Sequence, residues 1–155
     1  MQTKATQGEL RSAQPARRSS AQADEMQAQP RIAVMIVTDQ PIMRDGLRLR
    51  IQQEADMLVV CEAGDLVQTL RDFHLCRPDV LVIDLQSPLG ARAVKAMRGI
   101  SPGTPWVLLT DDPQEVVARL RNEGCIALVP KMLAKEQVIP AIRGAISESR
   151  GSGTA

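Results

Sequence analysis

Four residues on four separate stretches carry groups that could work on one substrate: Asp39 in 38-TDQP-41, Asp84 in 80-VLVIDLQSP-88, Thr110 in 106-WVLLTDD-112 and Lys131 in 126-IALVPK-131. Two carboxylates can converge on a small hard cation such as Mg2+, which takes oxygen ligands and keeps several waters. A carboxylate beside a metal and a lysine can attack a phosphoryl donor as a nucleophile. Metal and ammonium would then offset charge on the transferring oxygens, while a hydroxyl donates one more hydrogen bond. Each residue alone has a plainer reading. Asp39 could cap a helix beginning at Pro41, Thr110 suits any strand, and Lys131 could be solvated. All four nonetheless stand just after a short apolar run, and that common placement favours a shared site.

Other chemistries find little support. His74, the only histidine, lies in 72-DFHLCRP-78 and reads as a surface or helix-end residue, against a histidine triad or a histidine metal cluster. There is no GxGxxG after the first apolar run, and no GxxxxGK[ST], HExxH, CxxC or GxSxG. Cys61, Cys76 and Cys125 lack metal-ligand spacing and are odd in number, which fits a reducing, cytoplasmic setting. No run approaches the ~18 apolar residues of a membrane span. Lys and Arg total 19 against 18 Asp and Glu, a net charge of +1, so no basic field points to nucleic acid.

The elements that must position these residues alternate along the chain. Short Val-, Ile- and Leu-rich runs at 32–37, 57–62, 79–84, 105–110 and 125–129 lack strict polar alternation, as strands buried on both faces do. Helical periodicity fills the gaps, over roughly 41–53, 66–75 (with Asp65 a cap), 91–99, 112–123 and 134–148. This predicts a three-layer, doubly wound (flavodoxin-like) α/β domain with a five-stranded parallel sheet and five helices. Such sheets bind ligands beyond the carboxyl ends of their strands, where the four residues stand. With Phe73 and Trp106 the only aromatic residues, the core must be aliphatic. Residues 1–30, rich in Gln, Ala and Ser, are expected to be disordered, the domain to cover 31–149, and 150–155 to be a flexible tail or the start of a linker.

The stretches 32-IAVMIVTDQPIMRDGLRLRI-51, 62-EAGD-65, 77-RPDVLVIDLQSP-88, 106-WVLLT-110 and 124-GCIALVPK-131 resemble, in order and spacing, the receiver domain of bacterial two-component response regulators. The branch resembled most usually carries a C-terminal helix-turn-helix output domain. The resemblance implies that Asp84 is the phosphoacceptor, Thr110 the switch hydroxyl and Lys131 the family lysine, with Asp39 and Asp84 holding Mg2+. The implied partner is a histidine kinase or phosphotransfer protein, and the implied output is a shift between two states that alters protein contacts. It implies a signalling domain with aspartyl self-phosphorylation rather than a stand-alone enzyme.

Several residues depart from the family pattern. Thr38 stands where a first acid is usual, which weakens metal binding. The loop through Gln86 is about two residues short, although it supplies a backbone oxygen to the metal in the family. Asp111 places a carboxylate next to the switch hydroxyl, and Leu128 replaces an aromatic switch residue, with Pro130 just before Lys131. Two readings of function follow: a phosphoacceptor, or a degenerate receiver that acts as a phosphorylation-independent interaction or dimerisation module, either of them able to serve a transcription regulator. A homodimer is expected through a strip on the last helix carrying Ile139 and Arg143. No nucleic acid or membrane contact is expected through residues 31–149.

Overall fold

Runs of β-branched and aliphatic residues closed by Asp, Thr or Pro are too short for helices and form strands. In the computed structural model, which describes residues 30–120 and 126–152, they are β1 (Ile32–Val37), β2 (Met57–Ala63), β3 (Val80–Asp84), β4 (Trp106–Thr110) and β5 (Ile126–Pro130). All neighbours pair in parallel, in the order β2-β1-β3-β4-β5. Between them run α1 (Pro41–Gln52), α2 (Leu66–Cys76), α3 (Pro88–Met97) and α4 (Pro113–Leu120), and a 3-10 turn (Lys131–Leu133) leads into α5 (Ala134–Ser152). This is the expected three-layer flavodoxin-like architecture. The expected N-terminal tail, apart from Pro30, and Cys125 lie outside the described residues.

An apolar cluster covers each sheet face, and the pleat divides the strand residues between them. Val34, Ile36, Val80, Val82, Val107 and Leu109 pack with Leu47 and Ile51 of α1 and with Val138 and Ile142 of α5. Met35, Val37, Leu81, Ile83 and Leu108 pack on the other face with α3, and with partly buried residues of α2 and α4. The uninterrupted apolar runs follow from this two-sided burial. Asp65 caps α2 as expected, accepting from the Gln68 amide at 2.7 Å. Asp39 does not cap α1: the N-cap is Gln40, with no side-chain cap bond, and Pro41 opens the helix.

Three expectations are corrected. Helix α3 starts at Pro88 rather than at 91, because Ser87 and Pro88 form a cap followed by a first-position proline. Helix α5 runs past 148 to Ser152, since a single glycine at 151 costs only ~1 kcal/mol and nothing else stops it. The apolar half of the strip expected for self-association is not exposed, while Arg143 is. Ile139 is 2% exposed and sits in the core, because the apolar face of α5 is wider than the Val138, Ile142, Ile146 row and takes in Ile139 and Ala145. Arg143 is turned to its own chain, paired with Glu54 at 3.1 Å and Asp56 at 3.0 Å.

Candidate functional site

Strand β3 ends at Asp84, and the chain turns at once into α3. Ser87 fastens that turn: its hydroxyl donates to the Asp84 carbonyl at 3.1 Å and accepts from the Gly90 amide at 3.1 Å. The first turn of α3 lies so close to β3 that any Cβ at position 90 would collide with the Asp84 carbonyl, so only glycine fits. The short loop expected from the sequence is therefore a tight, fully bonded corner that fixes where the Asp84 side chain stands.

That side chain is 0% exposed. A buried carboxylate needs partners, and Asp84 has three. The Gln86 amide donates to Oδ1 at 3.0 Å, the Thr38 hydroxyl donates to Oδ2 at 3.2 Å, and the Lys131 ammonium lies 3.4 Å from Oδ2. Lys131 also donates to Gln40 Oε1 at 3.3 Å, and the Gln40 amide donates to Thr38 Oγ1 at 3.2 Å. On the far side, Gln86 Nε2 donates to Thr110 Oγ1 at 3.2 Å, and the Asp112 amide donates to the same oxygen at 3.1 Å. Strands β1, β3, β4 and β5 thus each deliver one member of a continuous hydrogen-bonded group at the carboxyl edge.

Thr38, Asp84, Gln86, Thr110 and Lys131 come together. Asp39 stands exposed at the rim, between two residues, Thr38 and Gln40, that both reach the group. Asp111 is exposed. Leu128 is partly buried in the Leu108 cluster, a packing residue in this state. Gln40 and Ser87 were not singled out from the sequence. A lone glutamine carries no signal, but the Ser-Pro pair after an apolar run is a helix-start signature that could have exposed Ser87.

Among the described residues no three or more His, Cys, Asp or Glu side chains gather as a metal site. Mg2+ keeps most of its shell as water and needs only one or two carboxylates; of the two expected ligands, Asp84 is buried with both oxygens engaged, and Asp39 is exposed at the rim. The position that would add a third acid holds Thr38, whose hydroxyl is committed to Asp84.

No described helix is long and apolar enough to cross a membrane. The oxygen regulatory protein NreC of Staphylococcus epidermidis is 32% identical over 114 residues, 71% of this chain and 52% of NreC. The uncharacterized transcriptional regulatory protein YxjL of Bacillus subtilis is 35% identical over 118 residues, 74% of this chain and 54% of YxjL. This chain therefore spans about half the length of these relatives. A LuxR-family two-component response regulator from Aurantimonas sp. SI85-9A1 has the same fold, with a TM-score of 0.67 at 24% identity over 76% of this chain and 86% of that one. Residues 34–143 match the response regulator receiver domain, and the chain belongs to that family of two-component signalling domains.

Proposed function

We propose that Asp84 accepts a phosphoryl group from a phosphohistidine on a histidine kinase or phosphotransfer protein, and that this changes the domain's protein contacts. The observation that carries the reading is the Lys131–Asp84 pair at 3.4 Å, set at the carboxyl edge with Thr110 one glutamine away. In the transfer an Asp84 oxygen forms a bond to phosphorus as the phosphorus–nitrogen bond breaks. The electron pair leaves with the imidazole nitrogen, which takes up a proton. Lys131 keeps a positive charge beside the incoming oxygens, and the Thr110 hydroxyl, once released by Gln86, supplies a hydrogen bond. Mg2+, held by Asp39 and Asp84, would neutralise charge on the phosphoryl oxygens.

Because Asp84 is fully covered, the group must open before a phosphoryl group enters. Gln86 and Gln40 are exposed and are the side chains free to swing away. Next to Gln40 lies an apolar groove of about 620 Å³ between α1 and the start of α5, lined by Ile42, Met43, Leu49 and Ala134. A donor protein seated there would bring its histidine beside the Lys131–Asp84 pair.

A second reading has its own support. Thr38 takes an Asp84 oxygen where an acid would share a metal, which favours a receiver working as a phosphorylation-independent interaction module. YxjL and NreC are named as regulatory proteins, so in either reading the output we propose is control of transcription by a longer protein.

Wild type and Asp84→Asn treated with acetyl phosphate and Mg2+ separate the readings. A mass gain of about 80 Da, one phosphoryl group, is expected in the wild type only. Equal labelling of both removes Asp84 from the role; a folded wild type that stays unlabelled supports the interaction module.

A further inference from the structure

One residue belongs both to the acceptor group and to the groove beside α1. Gln40 lines the groove, and its Oε1 accepts from the Lys131 ammonium at 3.3 Å. It stands at the N-cap of α1, where a side chain ordinarily bonds back to the helix, yet it makes no such bond. The side chain is committed instead to a residue 91 positions along the chain. The Gln40 backbone amide donates to Thr38 Oγ1 at 3.2 Å, Thr38 donates to Asp84 Oδ2 at 3.2 Å, and Lys131 lies 3.4 Å from that same oxygen. These contacts close a ring in which Gln40 is the one exposed member. Two hydrogen bonds tie the α1 side of the groove to the chain leading into α5: Lys131 to Gln40, and Arg50 Nε to the Lys135 carbonyl at 3.1 Å.

We infer that Gln40 couples the groove to the acceptor: a histidine-bearing donor protein seated in the groove draws the Gln40 side chain off Lys131 and opens the ring. A small donor enters only when that bond breaks unaided. The inference rests on the reading of Asp84 as phosphoacceptor. Lys131 has three N–H donors and no acceptor, and in the closed ring it faces Asp84 and Gln40. Released from Gln40, the ammonium is free to turn toward incoming phosphoryl oxygens. The Lys131–Gln40 bond is the link that yields first, because 3.3 Å is long for an N–H···O bond and water competes for an exposed amide. The rest of the groove is apolar, so a partner that covers it also covers the Gln40 amide. That amide must then pair with the partner or lose its hydrogen bonds to water. Selectivity follows, since a donor that cannot open the ring reacts only with the fraction of molecules already open.

The test compares the full wild-type chain with Gln40→Ala, Gln40→Asn and Gln40→Glu. No side-chain cap bond is lost at this position, so α1 keeps its start in all three. Alanine has no acceptor and asparagine is one methylene too short to reach Lys131. Both should take label from acetyl phosphate and Mg2+ about fivefold faster, the scale of one hydrogen bond. Glutamate grips the ammonium more tightly and should slow labelling. At saturating autophosphorylated histidine kinase, Gln40→Ala should gain less than about twofold, because docking already breaks the bond. Calorimetry with the same kinase, unphosphorylated, reads the coupling without any transfer. If docking has to break the Lys131–Gln40 bond, its removal tightens docking, by about fivefold in Gln40→Ala and Gln40→Asn. Equal gains with both phosphodonors would overturn the inference, as would unchanged or weaker kinase binding in those two variants. A wild type that takes no label from either donor sinks the phosphoacceptor reading instead, and the kinase affinities alone then decide the coupling.

Discussion

Thr38 is the residue on which the acceptor group turns. Its hydroxyl ties Asp84 to β1 without adding charge, so the buried carboxylate faces one ammonium rather than a second acid. Thr38→Asp removes that donor and restores a second carboxylate at the edge of β1. We predict tighter Mg2+ binding, by on the order of tenfold, limited by repulsion of the added carboxylate from Asp39 and Asp84 before the ion arrives. Titration calorimetry on wild type, Thr38→Asp and Thr38→Val measures it, with the valine variant separating lost hydrogen bonding from added charge. Absence of binding in all three would remove the metal from the reading. Asp84, Thr110 and Lys131 were legible in the sequence because each closes an apolar run, and the strand order brings those ends together. The cover over them was not legible. Gln40 and Gln86 act through contacts 91 and 24 residues away, set by side-chain reach rather than by any local pattern.

Among the elements, α1 is unusual in how much apolar surface it leaves open. Leu47 and Ile51 are buried against the sheet, yet Ile42 and Leu49 are 89% and 59% exposed. That pair flanks the groove that ends at Gln40, so we predict that Ile42→Glu with Leu49→Glu weakens docking of a phosphohistidine protein. Labelling by an autophosphorylated histidine kinase should fall by about tenfold or more, the loss expected for two apolar contacts replaced by charge. Labelling by acetyl phosphate, which needs no docking, should not change. Parallel loss with both donors would instead mean damage to the acceptor group. Periodicity placed all five helices, because a two-sided sheet leaves a strong 3.6-residue stripe on each. It failed at their limits: α3 began early at a Ser-Pro cap. On α5 the row at i and i+4 hid a broader face that swallowed Ile139.

Across the whole molecule, one arginine joins distant parts of the chain. Arg143 of α5 reaches the α1–β2 connection, where Nε donates to Asp56 Oδ2 at 3.2 Å and Nη2 to Asp56 Oδ1 at 3.0 Å and Glu54 Oε2 at 3.1 Å. Arg50 holds Glu54 from the other side at 3.1 Å. Hydrogen bonds from Arg50 and then Arg143 hold the Glu54 carboxyl below its ordinary value, and Arg143 does the same to Asp56. A carboxyl whose folded pKa lies below its unfolded one adds stability that is fully present above the unfolded value. That stability is lost as pH falls through the folded value. The clamp should therefore act at neutral pH and fade below about pH 4, the ordinary carboxylate range. Arg143→Gln should melt slightly lower than wild type at pH 7, since exposed pairs contribute little, and the two curves should converge in acid. Added salt at pH 7 should narrow the gap in the same way. Thermal melts of both proteins across a pH series measure this. A gap that persists unchanged well below the carboxylate range would mean that Arg143 stabilises by packing its aliphatic stem, and that α5 is held to the α1–β2 connection by burial rather than by charge.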